Sequence, residues 1–204
     1  ATTDIYTLSL HDALPICIGV TADEFDKDVN FLNVNNGVLN LATGELVDHD
    51  PKYMLTQKFN ANRLPGADAP KFKKFMADVL PDEGVRSYVQ RALGYTLLGQ
   101  ADERAMFLLH GKSGTGKSQL MTLMTELFGG YAVTAPASTF RLKRTETTLD
   151  LHRLRGARLV VTSEMPEGAQ LDDELIKRIT SGADEITSRG HYEQFQTWKP
   201  RCAI

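Results

Sequence analysis

The feature that most constrains this chain is a loop motif at residues 111–118. Its sequence, Gly-Lys-Ser-Gly-Thr-Gly-Lys-Ser, matches the phosphate-binding pattern G-x-x-x-x-G-K-S/T at every position. Backbone N–H groups of such a loop bind nucleotide phosphates, Lys117 can reach the β- and γ-phosphates, and the Ser118 hydroxyl can coordinate Mg²⁺. The predicted nucleotide-binding residues are Gly111, Lys112, Ser113, Gly114, Thr115, Gly116, Lys117 and Ser118.

The residues around the loop fit the strand–loop–helix setting that the motif requires. Before the loop, the nearly continuous apolar run at 105–110 predicts a strand buried on both faces of a parallel sheet. After the loop, apolar residues recur at helical spacing until Gly129 and Gly130 end the pattern. The N-terminus of that helix would face the phosphates, where the helix dipole favours negative charge. The sequence therefore predicts an α/β fold with a P-loop parallel-sheet core.

A second apolar run, at 158–163, predicts another strand of this core, and Glu164 follows it directly. Ligands of open α/β sheets bind at the carboxyl ends of the strands. An acid at that position can face the γ-phosphate and orient or deprotonate a water molecule. The alternative is a solvated loop acid before Pro166. We expect the functional role for Glu164, because strand end, loop position and distance after the P-loop coincide.

A helix over about 171–180 and a hairpin follow Glu164. The hairpin is predicted from strands at 185–189 and 195–198, and its loop exposes Arg189, His191 and Tyr192. A cation beside aromatic faces suits single-stranded nucleic acid, by phosphate contact and base stacking. An ordinary surface hairpin is the alternative from these residues alone. A run of basic residues is predicted as a solvated face: Arg141, Lys143, Arg144, Arg153, Arg155 and Arg158.

The part of the chain before the P-loop predicts a hairpin and two helices. Strand-like alternation over 31–48 surrounds Asn35-Asn36-Gly37, and Asn-Gly between such flanks is a strong hairpin signal. A turn-rich connector at 61–70 leads to one helix that ends before Pro81 and another that begins after Asp82-Glu83. The apolar stripes of both helices are predicted to be packing surfaces.

Composition sets further bounds. The chain has 204 residues, a net charge of −3 and ordinary hydrophobic content, and no apolar run approaches membrane-spanning length. The charge argues against a uniformly basic, nucleic-acid-coating surface but leaves room for a local basic patch. The two cysteines, Cys17 and Cys202, lack metal-ligand spacing, which favours a reduced cytoplasmic setting.

Both ends of the chain are expected to be unnatural boundaries. Residues 7–16 resemble one reading frame of a DNA-sequencing adapter, and we expect residues 1–17 to be an assembly artefact. The apolar run that begins at Phe195 stops at Ile204, which indicates truncation. The predicted domains are an N-terminal β-hairpin plus helical domain at 18–103 and a truncated P-loop core at 104–204.

From about residue 31 onward, the chain resembles the helicase part of phage and plasmid primase–helicases, which are superfamily 3 helicases with an AAA+ type core. Besides the P-loop, four segments carry the resemblance: Leu32–Leu41, Leu93–Tyr95, Leu154–Glu164 and Leu175–Gly182. The resemblance implies ATP- and Mg²⁺-dependent unwinding of DNA by a hexameric ring in the bacterial cytoplasm.

The resemblance also assigns roles to individual residues. Lys117 and Glu164 would be catalytic, and Ser118 and Glu164 would hold Mg²⁺. The hairpin with Arg189, His191 and Tyr192 would project into the ring channel and contact DNA. Many relatives carry two acids at the Glu164 motif, whereas Ser163 stands here instead of the first. A polar sensor residue and an arginine finger are expected beyond Ile204, so the fragment alone is expected to be inactive.

Two other functions remain open from the residues. A small-molecule kinase shares the P-loop, but it would be expected to supply an acceptor pocket and an arginine-bearing lid, whereas Glu164 suits activation of water. A DNA-binding assembly module would use its ATP site only to hold a ring together.

Overall fold

The computed structural model describes Gly19 and residues 24–142, 148–162 and 164–204. The predicted artefact at 1–17 lies outside the described residues, as does Ser163. The strands are β1 (Phe31–Val34), β2 (Gly37–Asn40), β3 (Leu46–Val47), β4 (Ala132–Ala135), β5 (Leu159–Thr162), β6 (Ile186–Ser188) and β7 (Gln196–Trp198). The α-helices are α1 (Pro70–Val79), α2 (Glu83–Leu98), α3 (Lys117–Phe128), α4 (Thr148–His152) and α5 (Asp173–Thr180). The fold is mixed α/β with a small parallel sheet, β4–β5.

The first sheet confirms the hairpin predicted around Asn-Gly. Strands β1 and β2 pair antiparallel from Phe31 opposite Asn40 to Val34 opposite Gly37, which leaves Asn35 and Asn36 as the turn. Strand β3 extends the sheet on the far side of β2. Gly37 has a left-handed φ of 150°, and a Cβ there would collide with the carbonyl oxygen of Val47. Glycine is therefore required at the first residue of β2, directly after the turn.

The two helices before the P-loop are also confirmed. Pro70 occupies the first turn of α1, where its missing N–H costs nothing. Asp82 caps α2, and its Oδ1 accepts a hydrogen bond from the Val85 N–H at 2.9 Å. At the other end of α2, Gly99 adopts a left-handed φ of 61° and ends the helix.

The parallel sheet is covered on both faces by apolar side chains. Because side chains alternate along a strand, Leu159 and Val161 of β5 pack on one side and Val160 on the other. The first side includes residues from the N-terminal sheet, α1 and α3: Leu32, Val34, Phe59, Met76, Leu120, Met124, Phe128 and Tyr131. The second side includes residues from α4, α5 and the β6–β7 hairpin: Leu151, Leu154, Leu175, Ile179, Ile186 and Trp198.

The strand predicted at 105–110 is wrong. Phe107 donates its N–H to the Ile204 carbonyl at 2.7 Å, but residues 105–110 form no regular element. The side chains of this segment are not buried on both faces, and Leu108 is 82% exposed. An apolar run gives the composition of a buried strand but not its hydrogen-bonding partners.

The predicted helix after Glu164 is confirmed with a later start. Leu171 lies before α5 and pairs with Arg141 in an isolated antiparallel bridge. Asp172 then caps α5 through Oδ1, which accepts from the Leu175 N–H at 2.9 Å. The capping aspartate moves the helix start past Leu171, because its side chain satisfies a donor of the first turn.

Arg158 does not belong to the predicted solvated basic face, of which Lys143 and Arg144 lie outside the described residues. It is only 5% exposed, and its guanidinium donates to the Leu97 carbonyl and, at 2.9 Å, to the Phe31 carbonyl. It also lies over the Tyr131 ring at 4.8 Å from the centroid. Burial lowers the pKa of Arg158 and raises the pKa of Tyr131. Arg158 thus joins α2, the N-terminal sheet and the parallel sheet.

Replacing Arg158 with Leu should therefore lower the free energy of unfolding by about 3 kcal/mol, because two buried carbonyls lose their donor. Chemical denaturation measures the change. Arg153→Leu is the matched control, since Arg153 is an exposed arginine of the same region, and it should change stability by less than about 0.5 kcal/mol. Equal effects of the two substitutions would contradict the role assigned to Arg158.

Two further features bear on the class of protein. Within the described ranges, no helix is both long and apolar enough to cross a membrane. Cys202 is buried in the second apolar cluster, and burial raises its pKa to about 12. Its thiol therefore stays protonated near neutral pH, which fits a packing role.

Candidate nucleotide site and hairpin

The P-loop lies directly before α3, whose first residue is Lys117. Gly114 and Gly116 have left-handed φ angles of 79° and 84°, which non-glycine residues rarely adopt. Gly116 is constrained by packing as well, since a Cβ there would lie 2.6 Å from Cγ2 of Val79. The sequence motif gave no sign of this contact with α1. It ties the shape of the loop to the helical segment before it.

Lys117 folds its side chain back over the loop. Its Nζ donates to the carbonyls of Gly111 at 2.8 Å and Lys112 at 2.7 Å, and it lies 3.3 Å from the Thr115 hydroxyl. Thr115 in turn donates to the Lys112 carbonyl at 2.9 Å. These partners are neutral oxygens, so no carboxylate among them offsets the ammonium charge. That charge is available to an anion bound at the loop.

The loop residues fit a nucleotide phosphate. Among the residues that the structure describes, no side chain caps the start of α3, and the N–H groups of its first turn have no acceptor within the helix. These donors, the helix dipole and the Lys117 ammonium lie at one place, which is the usual composition of an anion site. Ser118 is exposed at the second position of the helix. The Ser118 hydroxyl is the group of the loop that would hold Mg²⁺.

Glu164 lies two residues past the end of β5 and is exposed. Helix α3 packs on β5 through Leu120 and Met124, on the same face as Leu159. Among the described residues, no group of three or more His, Cys, Asp and Glu could hold a metal ion by itself. Mg²⁺ usually takes one or two protein ligands and the oxygens of its phosphate ligand, a mode that Ser118 and Glu164 fit.

Residues 203–204 lie between the segment that leads into the P-loop and strand β5. Phe107 donates to the Ile204 carbonyl, and on the other side Val160 donates to the Ala203 carbonyl at 2.9 Å. Ala203 pairs with Leu159 in the parallel sense. The segment that leads into the loop and the strand that leads to Glu164 are therefore both held by residues 203–204.

The hairpin of β6 and β7 confirms the two predicted strands. Ile186 lies opposite Trp198 and Ser188 opposite Gln196, which leaves 189–195 as the loop. Tyr192 projects fully from this loop, with a relative exposure of 108% and a left-handed φ of 60°. The His191 ring lies beside it, with the two centroids 6.3 Å apart.

The hairpin loop also contains a pair that the sequence prediction missed. The Arg189 guanidinium lies 4.9 Å from the centroid of the Phe195 ring, which is 59% exposed. The predicted residues Arg189, His191 and Tyr192 are thus all exposed on one loop, and Phe195 adds another aromatic face. No signal in the sequence indicated this pair, because the predicted strand at 195–198 included Phe195, whereas β7 begins at Gln196.

Comparisons with known proteins address both parts of the chain. Residues 7–81 match a family model described as D5 N terminal like, and residues 109–204 match a family of unknown function, DUF5906. Over 183 residues, 86% of this chain, it is 25% identical to the "Putative helicase L207/L206" of Acanthamoeba polyphaga mimivirus. Over 119 residues, 55% of the chain, it is 26% identical to the "Putative helicase V13" of Sputnik virophage.

The matched regions cover 19% and 15% of those two proteins, so the chain spans less than a fifth of the length of these relatives. The N-terminal part of the chain is therefore similar to the D5 N terminal like family, and the chain is weakly similar to viral proteins that are named as helicases.

Proposed function

We propose that this chain is the ATP-hydrolysing and DNA-contacting part of a helicase of the phage and plasmid primase–helicase type. The observation that carries the proposal is the P-loop itself. Two of its glycines have left-handed φ angles, its lysine donates to neutral oxygens of the loop, and its helix packs on the strand that leads to Glu164. The weak similarity to viral proteins named as helicases gives independent support.

In the proposed reaction, the first-turn N–H groups of α3 and Lys117 bind the phosphates of ATP. As the bond to the γ-phosphate breaks, Lys117 offsets the charge that develops on the phosphate oxygens. Glu164 orients a water molecule for attack on the phosphorus and accepts its proton. Ser118 and Glu164 would hold Mg²⁺, which would supply positive charge beside the phosphate oxygens.

The proposed DNA contact is the hairpin loop. Exposed aromatic rings stack on bases without regard to sequence, and Arg189 offers a cation to the phosphate backbone. We also propose that copies of the complete protein form a hexameric ring with the hairpins lining its channel. ATP hydrolysis would then move the hairpins along one DNA strand.

Strand separation tests the proposal directly. The full protein as its source encodes it is mixed with a forked DNA duplex, and release of one labelled strand is followed with and without MgATP. We expect release only with hydrolysable ATP. Transfer of the γ-phosphate to a small acceptor instead of water would favour a kinase. Stable DNA binding and assembly with no ATP turnover would favour a structural ATP site.

The hairpin contact makes a separate prediction. Tyr192→Ala should weaken binding of a single-stranded oligonucleotide by about 10-fold, because stacking on one aromatic ring contributes roughly 1–3 kcal/mol. Fluorescence anisotropy with labelled oligo-dT measures the affinity. Tyr88→Ala is the control, since Tyr88 is 55% exposed on α2, a different element from the hairpin, and it should leave affinity unchanged. Unchanged affinity in the Tyr192 variant would exclude the loop as a major contact.

A further inference from the structure

A chain of four side chains connects the core beneath the hairpin to its loop. The Trp198 indole N–H donates to the Ser188 hydroxyl oxygen at 2.8 Å. That oxygen lies 3.4 Å from Nδ1 of His152, and Nε2 of His152 lies 3.2 Å from the Glu193 carboxylate. Trp198 and Ser188 are buried, His152 is mostly buried at 19% side-chain exposure, and Glu193 is half exposed at 49%. The chain of contacts therefore leads from the protein interior to the loop that carries Tyr192.

The donors and acceptors of this chain match one another. An indole N–H can only donate, so the Ser188 oxygen accepts from Trp198, and it lies within hydrogen-bond distance of Nδ1 of His152. An ionised carboxylate can only accept, so the Nε2 of His152 that faces Glu193 carries a proton. That proton is donated to Glu193. Each polar group in the series has a partner, which such a buried network requires.

The Ser–His–Glu order is also that of a hydrolase triad, but the burial excludes this role. Ser188 has a relative exposure of 0%, and its oxygen already accepts from Trp198. A nucleophile must reach a substrate carbonyl, and Ser188 has no path to one. The arrangement instead fixes the orientation of the His152 ring, as the acidic member of a triad does for its histidine.

The hairpin backbone is adapted to this contact at Gly190. A Cβ at that position would lie 2.7 Å from Oε2 of Glu193, the same oxygen that His152 contacts. Glycine thus leaves the room in which the Glu193 carboxylate folds back toward α4. A second contact holds the far strand, because Arg155 donates to the side-chain oxygen of Gln196.

We propose that His152 is a positioning residue for the hairpin loop. By holding Glu193, it keeps the preceding residue, Tyr192, in its exposed left-handed conformation. Non-glycine residues hold such a conformation only where their surroundings impose it. The consequence for DNA rests on the proposed function of the loop. Helix α4 ends at His152 and β5 begins at Leu159. The same contact therefore links the hairpin to the strand that leads to Glu164.

The single tryptophan of the chain makes the test selective. In a ¹H–¹⁵N spectrum, Trp198 gives the one indole cross-peak, which reports the Trp198–Ser188–His152 contacts. We compare the 204-residue chain with His152→Ala, Glu193→Ala, Glu193→Gln and Gly190→Ala. Binding of labelled oligo-dT is measured for each of them, for Tyr192→Ala and for the double variant His152→Ala with Tyr192→Ala.

The expected results separate positioning from a general loss of structure. His152→Ala should shift the indole cross-peak, and it should weaken oligo-dT binding by about 5-fold. Glu193→Ala and Gly190→Ala should weaken binding similarly, while Glu193→Gln, whose amide oxygen still accepts from Nε2, should restore wild-type affinity. In the Tyr192→Ala background, His152→Ala should add no further loss, because both act through the same ring.

Other results overturn the inference in identifiable ways. An unmoved indole cross-peak in His152→Ala would show that the contact chain is absent. A moved cross-peak with wild-type affinity, while Tyr192→Ala binds weakly, would show that His152 does not position Tyr192. Wild-type affinity in Tyr192→Ala would instead contradict the proposed hairpin function, and the inference about His152 would then be decided by the indole cross-peak alone.

Discussion

Replacing Glu164 with Gln should lower the rate of ATP hydrolysis by at least about 100-fold while leaving ATP binding nearly unchanged. The amide has the shape of the carboxylate but cannot accept the proton of the attacking water, and general-base catalysis typically contributes 10²–10⁴-fold. Glu164 is exposed at the end of β5, beyond the face on which α3 packs, so the substitution removes no core contact. Phosphate release by the full protein measures turnover, and equilibrium binding of labelled ATP measures affinity.

Glu167 supplies the matched control for this experiment. It is a second exposed acid of the same loop, three residues further on, and no catalytic role is assigned to it. Glu167→Gln changes the net charge by the same amount as Glu164→Gln. It should therefore leave turnover within about 2-fold of the wild type. An equal loss in the two variants would mean that loop charge, and not a base at residue 164, governs the rate.

Replacing Lys117 with Ala should abolish most nucleotide binding. The ammonium donates to neutral oxygens of its own loop, and a charged hydrogen bond to phosphate is worth roughly 1.5–3 kcal/mol. Affinity for MgATP should fall by about 10- to 100-fold. Amide shifts of residues 111–118, followed by NMR during titration, detect even millimolar binding by the 204-residue chain.

Lys112→Ala tests whether the loss reflects position or merely positive charge. Lys112 lies in the same loop, where its predicted phosphate contact is made by the backbone N–H and its carbonyl accepts from Lys117, and the substitution retains both backbone groups. Its variant should bind MgATP within about 3-fold of the wild type. A wild-type affinity for Lys117→Ala, or equal losses in both variants, would remove the basis for a specific phosphate site. Circular dichroism should show the same helix content in all of these proteins.

Local signals in the sequence predicted the elements that depend on neighbouring residues. Asn35-Asn36-Gly37 predicted its hairpin because the turn geometry is decided within four residues. Asp82 predicted the start of α2 because an N-cap bonds only three residues away. The β6–β7 hairpin was predicted in the same way, from residues that lie close to one another in the chain.

The sequence failed where the deciding partner is remote. The 105–110 segment has the composition of a buried strand, but its hydrogen-bonding neighbour is the distant Ile204. Arg158 looked like a surface charge, although its acceptors are carbonyls 61 and 127 residues away. His152 gave no signal because its partners, Ser188 and Glu193, come from a different element. Nothing in a single sequence specifies such contacts.

The most direct test of the account measures ATP hydrolysis by the full protein at increasing concentrations of single-stranded DNA. If the P-loop with Glu164 and the hairpin with Tyr192 serve one reaction, DNA should raise the hydrolysis rate to a plateau. Tyr192→Ala should shift the half-maximal DNA concentration upward without changing the rate in the absence of DNA. A hydrolysis rate that does not respond to DNA, or the absence of hydrolysis altogether, would contradict the proposal.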